Sequence, residues 1–368
     1  MNVAASDGAL KQGTLSLPLT LAQLDAFDAI LDVRSPAEYA EDHLPRAQNV
    51  PVLDDAQRAQ VGILHKQTSA FEARKVGAAL VARNIAAHLE HSFMDKPKDW
   101  QPLVYCWRGG SRSAAMTHIL KRIGWNALQL EGGYKAWRGQ ILHDLDQLPQ
   151  TFNYRVICGR TGSGKSRLLA ALDAAGAQVL DLEQLAAHKG SVLGEWHDTP
   201  QPSQKMFESR IWHTLSRFDP GKLVYVEAES RKIGLLRVPQ TLIECMRAAA
   251  CYEIVLAQDA RVSLLREEYA HLIANPALLF SKLDCLRKWH SRECIAHWKT
   301  LAEAVRWDEF VAEMLTSHYD PAYRKSMYKN YHQAAQATLF EMPDASSSSF
   351  AEIARHIVTI QGKRDRAD

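Results

Sequence analysis

Tyr154-Arg155-Val156-Ile157-Cys158-Gly159-Arg160-Thr161-Gly162-Ser163-Gly164-Lys165-Ser166 decides the architecture of the larger part of this chain. A short apolar run leads into a glycine loop, and a helical stretch follows from Arg167 to Ala175. The spacing Gly159-x-x-x-x-Gly164-Lys165-Ser166 between a strand and a helix is that of a phosphate cradle. The N–H groups of Gly159, Arg160, Thr161, Gly162, Ser163 and Gly164, with the Lys165 ammonium, suit a di- or triphosphate. The Ser166 hydroxyl takes Mg²⁺ where a metal is present. The loop does not reveal the group attached to the phosphates. Further strands are expected at 177–180, 223–226 and 252–256, which makes this an α/β layer with a mainly parallel sheet.

Residues at the ends of those strands are candidates for the same site. Asp181 and Glu227 are placed to position a metal or a water, and Val224 to Glu227 reads as a strand ending in an acid. An acid there equally caps a helix or pairs with Arg231 or Lys232. Glu229 and Arg231 belong to the charged cluster Glu229-Ser230-Arg231-Lys232-Ile233-Gly234, a composition that serves a site more often than a solvated turn.

A second loop lies upstream: Cys106-Trp107-Arg108-Gly109-Gly110-Ser111-Arg112, after Leu103-Val104-Tyr105 and before a helix expected over 114–123. A thiolate at a strand end, facing backbone N–H groups and a helix start, is favoured by the positive ends of the peptide dipoles. Gly109 and Gly110 let the backbone curl inward, and Arg108 and Arg112 add charged donors. Apolar packing of a cysteine needs neither. Strands at 29–33, 47–51 and 127–130, and a helix over 75–89, complete a second α/β layer around this loop.

The chain has 368 residues, more than one hydrophobic core usually organises, so two domains are expected. Its hydrophobic fraction of 46% and charged fraction of 23% are those of a soluble protein, and no apolar run is long enough to span a bilayer. The first residues do not read as an export signal, so a cytoplasmic location and no membrane partner are expected. The 6 cysteines then read as reduced thiols, which leaves Cys106 available as a nucleophile. A formal net charge of +2 predicts no polyanion partner from the total, so any nucleic-acid surface is local.

That local surface is sought from Lys282 to Lys299, where Arg287, Lys288, Trp289, Arg292 and Lys299 interleave cations with indole rings suited to phosphates and unpaired bases. An amphipathic helix with Trp and Leu toward a core explains the same pattern. Arg261, Arg266, Tyr269 and the stretch Tyr319 to Arg324 are further polar and aromatic spots for the same groove. The pattern from Arg261 reads as helical up to Pro343. Ser346 to Ser349 reads as a flexible link, with a Ser349–Glu352 capping box opening a last helix that ends near Ile360.

The first segment resembles a rhodanese domain over roughly residues 15 to 140. The resemblance rests on Asp32-Val33-Arg34-Ser35-Pro36-Ala37-Glu38-Tyr39, His43-Leu44-Pro45-Arg46-Ala47, the cysteine loop, and Glu131-Gly132-Gly133-Tyr134-Lys135-Ala136-Trp137. The five residues between Cys106 and Arg112 are one more than in many sulfurtransferase loops, as in cysteine-dependent phosphatases, and a longer loop suits a phosphate-bearing donor. Joined to the phosphate loop, to Glu227-Ala228-Glu229-Ser230-Arg231-Lys232-Ile233-Gly234 and to Tyr319-Asp320-Pro321-Ala322-Tyr323, this domain resembles the tRNA 2-selenouridine synthases over about residues 15 to 340.

The resemblance implies a tail at 1–14, a rhodanese-like α/β domain at 15–142, and a P-loop NTPase-like α/β domain at 150–260. A helical C-terminal extension at 261–342 would be the tRNA-binding region, followed by a linker, last helix and tail at 343–368. It also implies a transferase that replaces the sulfur of a wobble 2-thiouridine (position 34) by selenium through S-geranyl-2-thiouridine. Geranyl diphosphate would lie on Gly159 to Ser166, with Lys165 on the leaving diphosphate. Selenophosphate would be held by Arg108, Ser111 and Arg112, and its selenium carried on or delivered through Cys106. No tightly bound cofactor is expected beyond a possible Mg²⁺ at Ser166. The partners would be thiolated tRNA, small phosphorylated substrates and the enzyme that makes selenophosphate. A nucleotide-dependent kinase-like enzyme with a regulatory rhodanese module, a cysteine-dependent phosphatase, and a non-catalytic tRNA adaptor are the alternatives.

Overall fold

Two parallel five-stranded sheets organise the molecule, one in each of two units, residues 1–144 and 145–368. The computed structural model describes residues 14–196 and 198–364, with side chains through 360. The expected N-terminal tail lies almost wholly outside these residues.

In the first unit the strands are β1 (Thr14–Leu15), β2 (Ala29–Asp32), β3 (Ala47–Asn49), β4 (Pro102–Tyr105) and β5 (Leu128–Leu130), ordered β1-β5-β4-β2-β3. Every residue of β2 and β4 is buried, as strands covered by helices on both faces require. The Asp-Val-Arg motif is scaffold. Arg34 Nη2 lies 2.6 Å from Asp32 Oδ2, the Tyr105 hydroxyl donates to Asp32 Oδ2 at 2.7 Å, and the Arg34 guanidinium stacks 4.0 Å from the Tyr134 ring centroid. Both ions are fully buried and mutually satisfied.

In the second unit β6 (Tyr154–Cys158), β7 (Gln178–Leu180), β8 (Val224–Glu227), β11 (Ala250–Val255) and β12 (Thr338–Glu341) pair in the order β12-β11-β6-β8-β7, all parallel. A small antiparallel pair, β9 (Lys232–Ile233) and β10 (Leu236–Arg237), stands apart. The phosphate loop leaves the central strand β6 and feeds the helix Lys165–Ala174, whose Leu168, Leu169 and Leu172 enter the core. Helices from Ala270 to Met314 pack into a second apolar cluster around Leu283, Trp298, Phe310 and Met314.

Three expectations about the C-terminal part are corrected. The helical pattern stops short of Pro343, because Thr338 to Glu341 is the edge strand of the phosphate-loop sheet. Ser347 to Ser349 are no link, since the last helix starts at Ser347 and continues to Arg364. Its first turn is capped by Ser346, whose Oγ accepts from the Ser349 N–H at 3.3 Å. Ser349 instead donates to Asp344 Oδ1 at 2.6 Å, so it heads no capping box. Between the two expected domains, which end at 142 and begin at 150, lie the end of the helix Gly133–Gln147 and a 3₁₀ turn at Leu148–Thr151.

Candidate functional site

The cysteine loop closes over its own sulfur. Cys106 is buried at the carboxyl end of β4, and its Sγ accepts from the Gly110 N–H at 3.3 Å. Ser113 Oγ lies 3.1 Å from the same sulfur, and Gln129 Nε2 donates to Ser113 Oγ at 2.9 Å, which leaves the serine proton to the sulfur or the Gly110 carbonyl. Gly109 sits at φ +63°, and a Cβ there would lie 2.7 Å from the Leu130 carbonyl oxygen. The Glu131-Gly132-Gly133 turn explains this closeness, since the Tyr134 and Lys135 N–H groups donate to the Cys106 and Trp107 carbonyls at 2.9 and 2.8 Å.

The cations expected around the sulfur are arranged otherwise. Arg112 Nη1 lies 2.8 Å from Glu38 Oε2, so its charge is engaged by the Ser-Pro-Ala-Glu motif rather than open to an anion. Burial works against the Glu38 charge, but the Arg112 guanidinium and the Ser35 N–H together hold its carboxyl below the usual range. Arg108 and Ser111 are exposed at the loop rim and start of the helix Ser111–Ile123. Ser113 and Gln129 escaped the sequence reading. The serine stands one residue past Arg112, where the helix's first turn brings it back over the loop.

The phosphate loop is held from outside by the C-terminal helices. Arg261 Nε donates to the Thr161 carbonyl at 2.9 Å, and its terminal nitrogens grip Asp320 at 2.6 and 3.1 Å. The Tyr323 hydroxyl accepts from the Gly159 N–H at 2.6 Å. Arg160 reaches Asp320 at 3.6 Å. A Cβ on Gly162, at φ +77°, would lie 2.8 Å from Leu265 Cδ1. Lys165 Nζ donates to the Gly159 carbonyl at 2.9 Å and lies 5.9 Å from the Tyr323 ring centroid. Ser163 is buried, and its hydroxyl has no partner among the described residues.

Carboxylates crowd the other side of the loop. The Ser166 hydroxyl donates to Glu183 Oε2 at 3.0 Å, and Glu227 Oε1 accepts from the Glu183 N–H at 2.8 Å. Glu227 is buried and its Oε2 has no partner among the described residues. Burial, reinforced by the neighbouring acids, raises the carboxyls of Glu183 and Glu227 and pushes Glu229 up to about 8, against the pull of Lys165 on Glu183 and Glu229. Asp181 accepts from the Gln184 N–H at 2.8 Å, so it caps the helix Leu182–Ala186, as its alternative reading has it. Arg231 is exposed and outside the cleft. Ser166, Glu183 and the orphaned Glu227 oxygen are hard oxygen donors of the kind Mg²⁺ takes. Glu183 was legible only as the second acid after β7.

The basic, indole-rich segment divides. Its apolar face belongs to a core, with Leu283, Leu286, Ile295 and Trp298 buried. Lys299 and Arg287 both bind Asp284, at 2.9 and 2.7 Å, and with Arg292 they line a groove of their own. Lys288 is exposed, outside that groove. Trp289, 62% exposed, turns instead into the cleft over the phosphate loop, together with Lys325 and Lys329.

A model of the tRNA 2-selenouridine synthase AAA domain matches residues 152–292, and a rhodanese-like domain model matches residues 18–140. The tRNA 2-selenouridine synthase of Hydrogenovibrio crunogenus (strain DSM 25203 / XCL-2) is 32% identical over 339 residues, 82% of this chain and 89% of that protein. That of Marinobacter nauticus (strain ATCC 700491 / DSM 11845 / VT8) is 33% identical over 65% of each chain. That of Shewanella halifaxensis (strain HAW-EB4) is 34% identical over 66% of each. With both loops in place and relatives matched along most of its length, the chain belongs to the tRNA 2-selenouridine synthase family.

Proposed function

We propose that this protein converts wobble 2-thiouridine (position 34) of tRNA to 2-selenouridine through S-geranyl-2-thiouridine, with geranyl diphosphate and selenophosphate as donors. The observation that carries this reading is the pair of anion cradles at strand ends, one built around a thiol and the other without a nucleophile. In the first step the thiocarbonyl sulfur of the base attacks the prenyl carbon. The sulfur–carbon bond forms as the carbon–oxygen bond breaks, and the diphosphate leaves with the electron pair. Lys165 and the loop N–H groups stabilise that leaving charge. Ser166, Glu183 and Glu227 would hold a Mg²⁺ that neutralises it further.

Alkylation makes the sulfur a better leaving group. Selenium then bonds to uridine C2 and geranylthiolate departs. Delivery through Cys106 balances when its thiolate attacks phosphorus: hydroselenide leaves with both electrons of the phosphorus–selenium bond, and water releases phosphate from the sulfur. Arg112, released from Glu38, and Arg108 bind the donor's phosphate in this scheme. Trp289 supports an unpaired base near the phosphate loop, and Lys325 and Lys329 its backbone. The cytoplasm is the expected compartment, and the selenophosphate-producing enzyme a natural partner.

The test is to incubate the protein with thiolated tRNA, geranyl diphosphate and selenophosphate, and to analyse nucleosides by mass spectrometry. Geranylated and selenated uridine are expected. The absence of both sinks the reading.

A further inference from the structure

The second unit contains an apolar pocket that joins the phosphate cleft. It is a narrow, partly open crevice walled almost wholly by carbon. Thr161, Leu265, Tyr269 and Tyr319 line both the pocket and the cleft, so they form the passage between them. Away from that passage the walls are Leu272, Leu279, Trp307, Phe310, Val311 and Met314. The only cation in the lining, Arg266, is bound to Asp308 at 2.7 Å.

This lining selects between kinds of phosphate ester. A nucleoside brings ring nitrogens, exocyclic groups and ribose hydroxyls, each needing a hydrogen-bond partner when buried. The walls offer carbon. An apolar space left empty also costs stability, because its lining atoms lose their contacts. One that opens onto a phosphate cradle is therefore suited to a ligand that is charged at one end and hydrocarbon at the other. Loop and pocket are also mechanically one piece: the helix Gln258–Glu268 supplies Arg261, which ties down the Thr161 carbonyl, and Leu265, which packs against Gly162 and lines the passage.

We infer that this pocket binds the hydrocarbon tail of a diphosphate ester whose head lies on Gly159 to Ser166, and that Trp307, Phe310 and Val311 limit the length of tail accepted. The inference rests on the geranyl diphosphate reading above and adds the tail's binding site. It separates the ligand from a nucleotide by the chemistry of its second half.

The experiment is a calorimetric titration of the full-length protein with inorganic pyrophosphate, ATP, and geranyl and farnesyl diphosphates. Geranyl diphosphate should bind about 100-fold or more tightly than pyrophosphate, because each methylene taken out of water adds favourable free energy. ATP should gain no such advantage. Val311→Trp, which fills the pocket from a partly exposed position, should weaken geranyl diphosphate at least about 10-fold and leave pyrophosphate unchanged. Phe310→Leu, which opens the pocket, should shift preference toward farnesyl diphosphate. Unchanged pyrophosphate affinity certifies that each variant is folded with its loop intact, and either variant alone suffices. Equal binding of pyrophosphate and geranyl diphosphate overturns the inference. So does wild-type geranyl affinity in Val311→Trp, even if geranylated tRNA is formed, in which case the reaction stands and the pocket assignment falls. Tight, pocket-dependent binding without transfer to tRNA supports the pocket and overturns the reaction instead.

Discussion

The two loops share a plan and differ in what restrains them. Each leaves the carboxyl end of a buried parallel strand, turns on glycines and enters a helix. In the cysteine loop the donors already point inward, with Gly110 N–H and Ser113 on the sulfur, while Arg112 is occupied by Glu38. In the phosphate loop Lys165 rests on the loop's own Gly159 carbonyl, a contact that an arriving phosphate readily replaces, and the surroundings are carboxylates. The first site is thus organised around its nucleophile before any substrate arrives. The second is organised around a charge it does not yet hold.

The sharpest test of that division is a pair of deletions. Cys106→Ala should abolish selenation and leave geranylation near wild type, measured as nucleoside yields. Lys165→Ala should slow geranylation by about 100- to 1000-fold, the effect of losing one strong donor to a developing anion. If Cys106→Ala retains full selenation, the contrast between the loops collapses. Trp289→Ala should weaken binding of single-stranded anticodon RNA about 5- to 100-fold, as loss of a stacking surface does, in a fluorescence titration. Arg287→Ala should change it less, since Asp284 already holds that cation.

Glu38→Gln addresses the restraint on Arg112. Freed from its carboxylate partner, Arg112 should tighten inorganic phosphate binding by about 10-fold or less, a step of about 1.4 kcal/mol at most. No change would mean the arginine does not serve the anion. The smallest effect expected is on stability. Glu229 has its carboxyl pushed up to about 8, so its proton is favoured in the folded state. The stability linked to that proton is present below the ordinary carboxylate range and is lost as pH rises through about 8. Glu229→Gln should therefore melt a few degrees above wild type near pH 8.5, at about 2–4 °C per kcal/mol, and close to it near pH 5. Millimolar Mg²⁺ should narrow the gap by supplying the missing charge.

Both sheets were legible because their strands are short apolar runs flanked by turn residues, and both loops because their glycine spacing has few other uses. Thr338 to Glu341 was not, since a four-residue edge strand carries no period, and only its pairing with Tyr252 to Val255 makes it a strand. Glu183, Ser113 and Gln129 gain their roles from tertiary contacts. Asp320 and Tyr323 are legible in the sequence only as part of a motif, and Arg261 as a polar spot on a groove. The hold of Arg261 on Thr161 spans 100 positions of chain and that of Tyr323 on Gly159 spans 164, which no local pattern encodes. The basic, indole-rich segment misled in part because one set of residues meets two demands, core packing by Trp298 and an open cleft by Trp289.

The last helix carries a consequence for how the protein is made. Phe350 packs against Gly164 so closely that a Cβ on that glycine would collide with its ring, and it belongs to the same core as Leu168 and Leu169. The floor of the phosphate loop is therefore supplied by residues synthesised well after the loop itself. The first unit has all its strands and can fold while synthesis continues, as N-terminal domains generally do. The second must wait for its edge strand and final helix. A nascent chain thus carries a formed thiol site well before it carries a formed phosphate site, and a chain cut short before residue 338 would keep only the first.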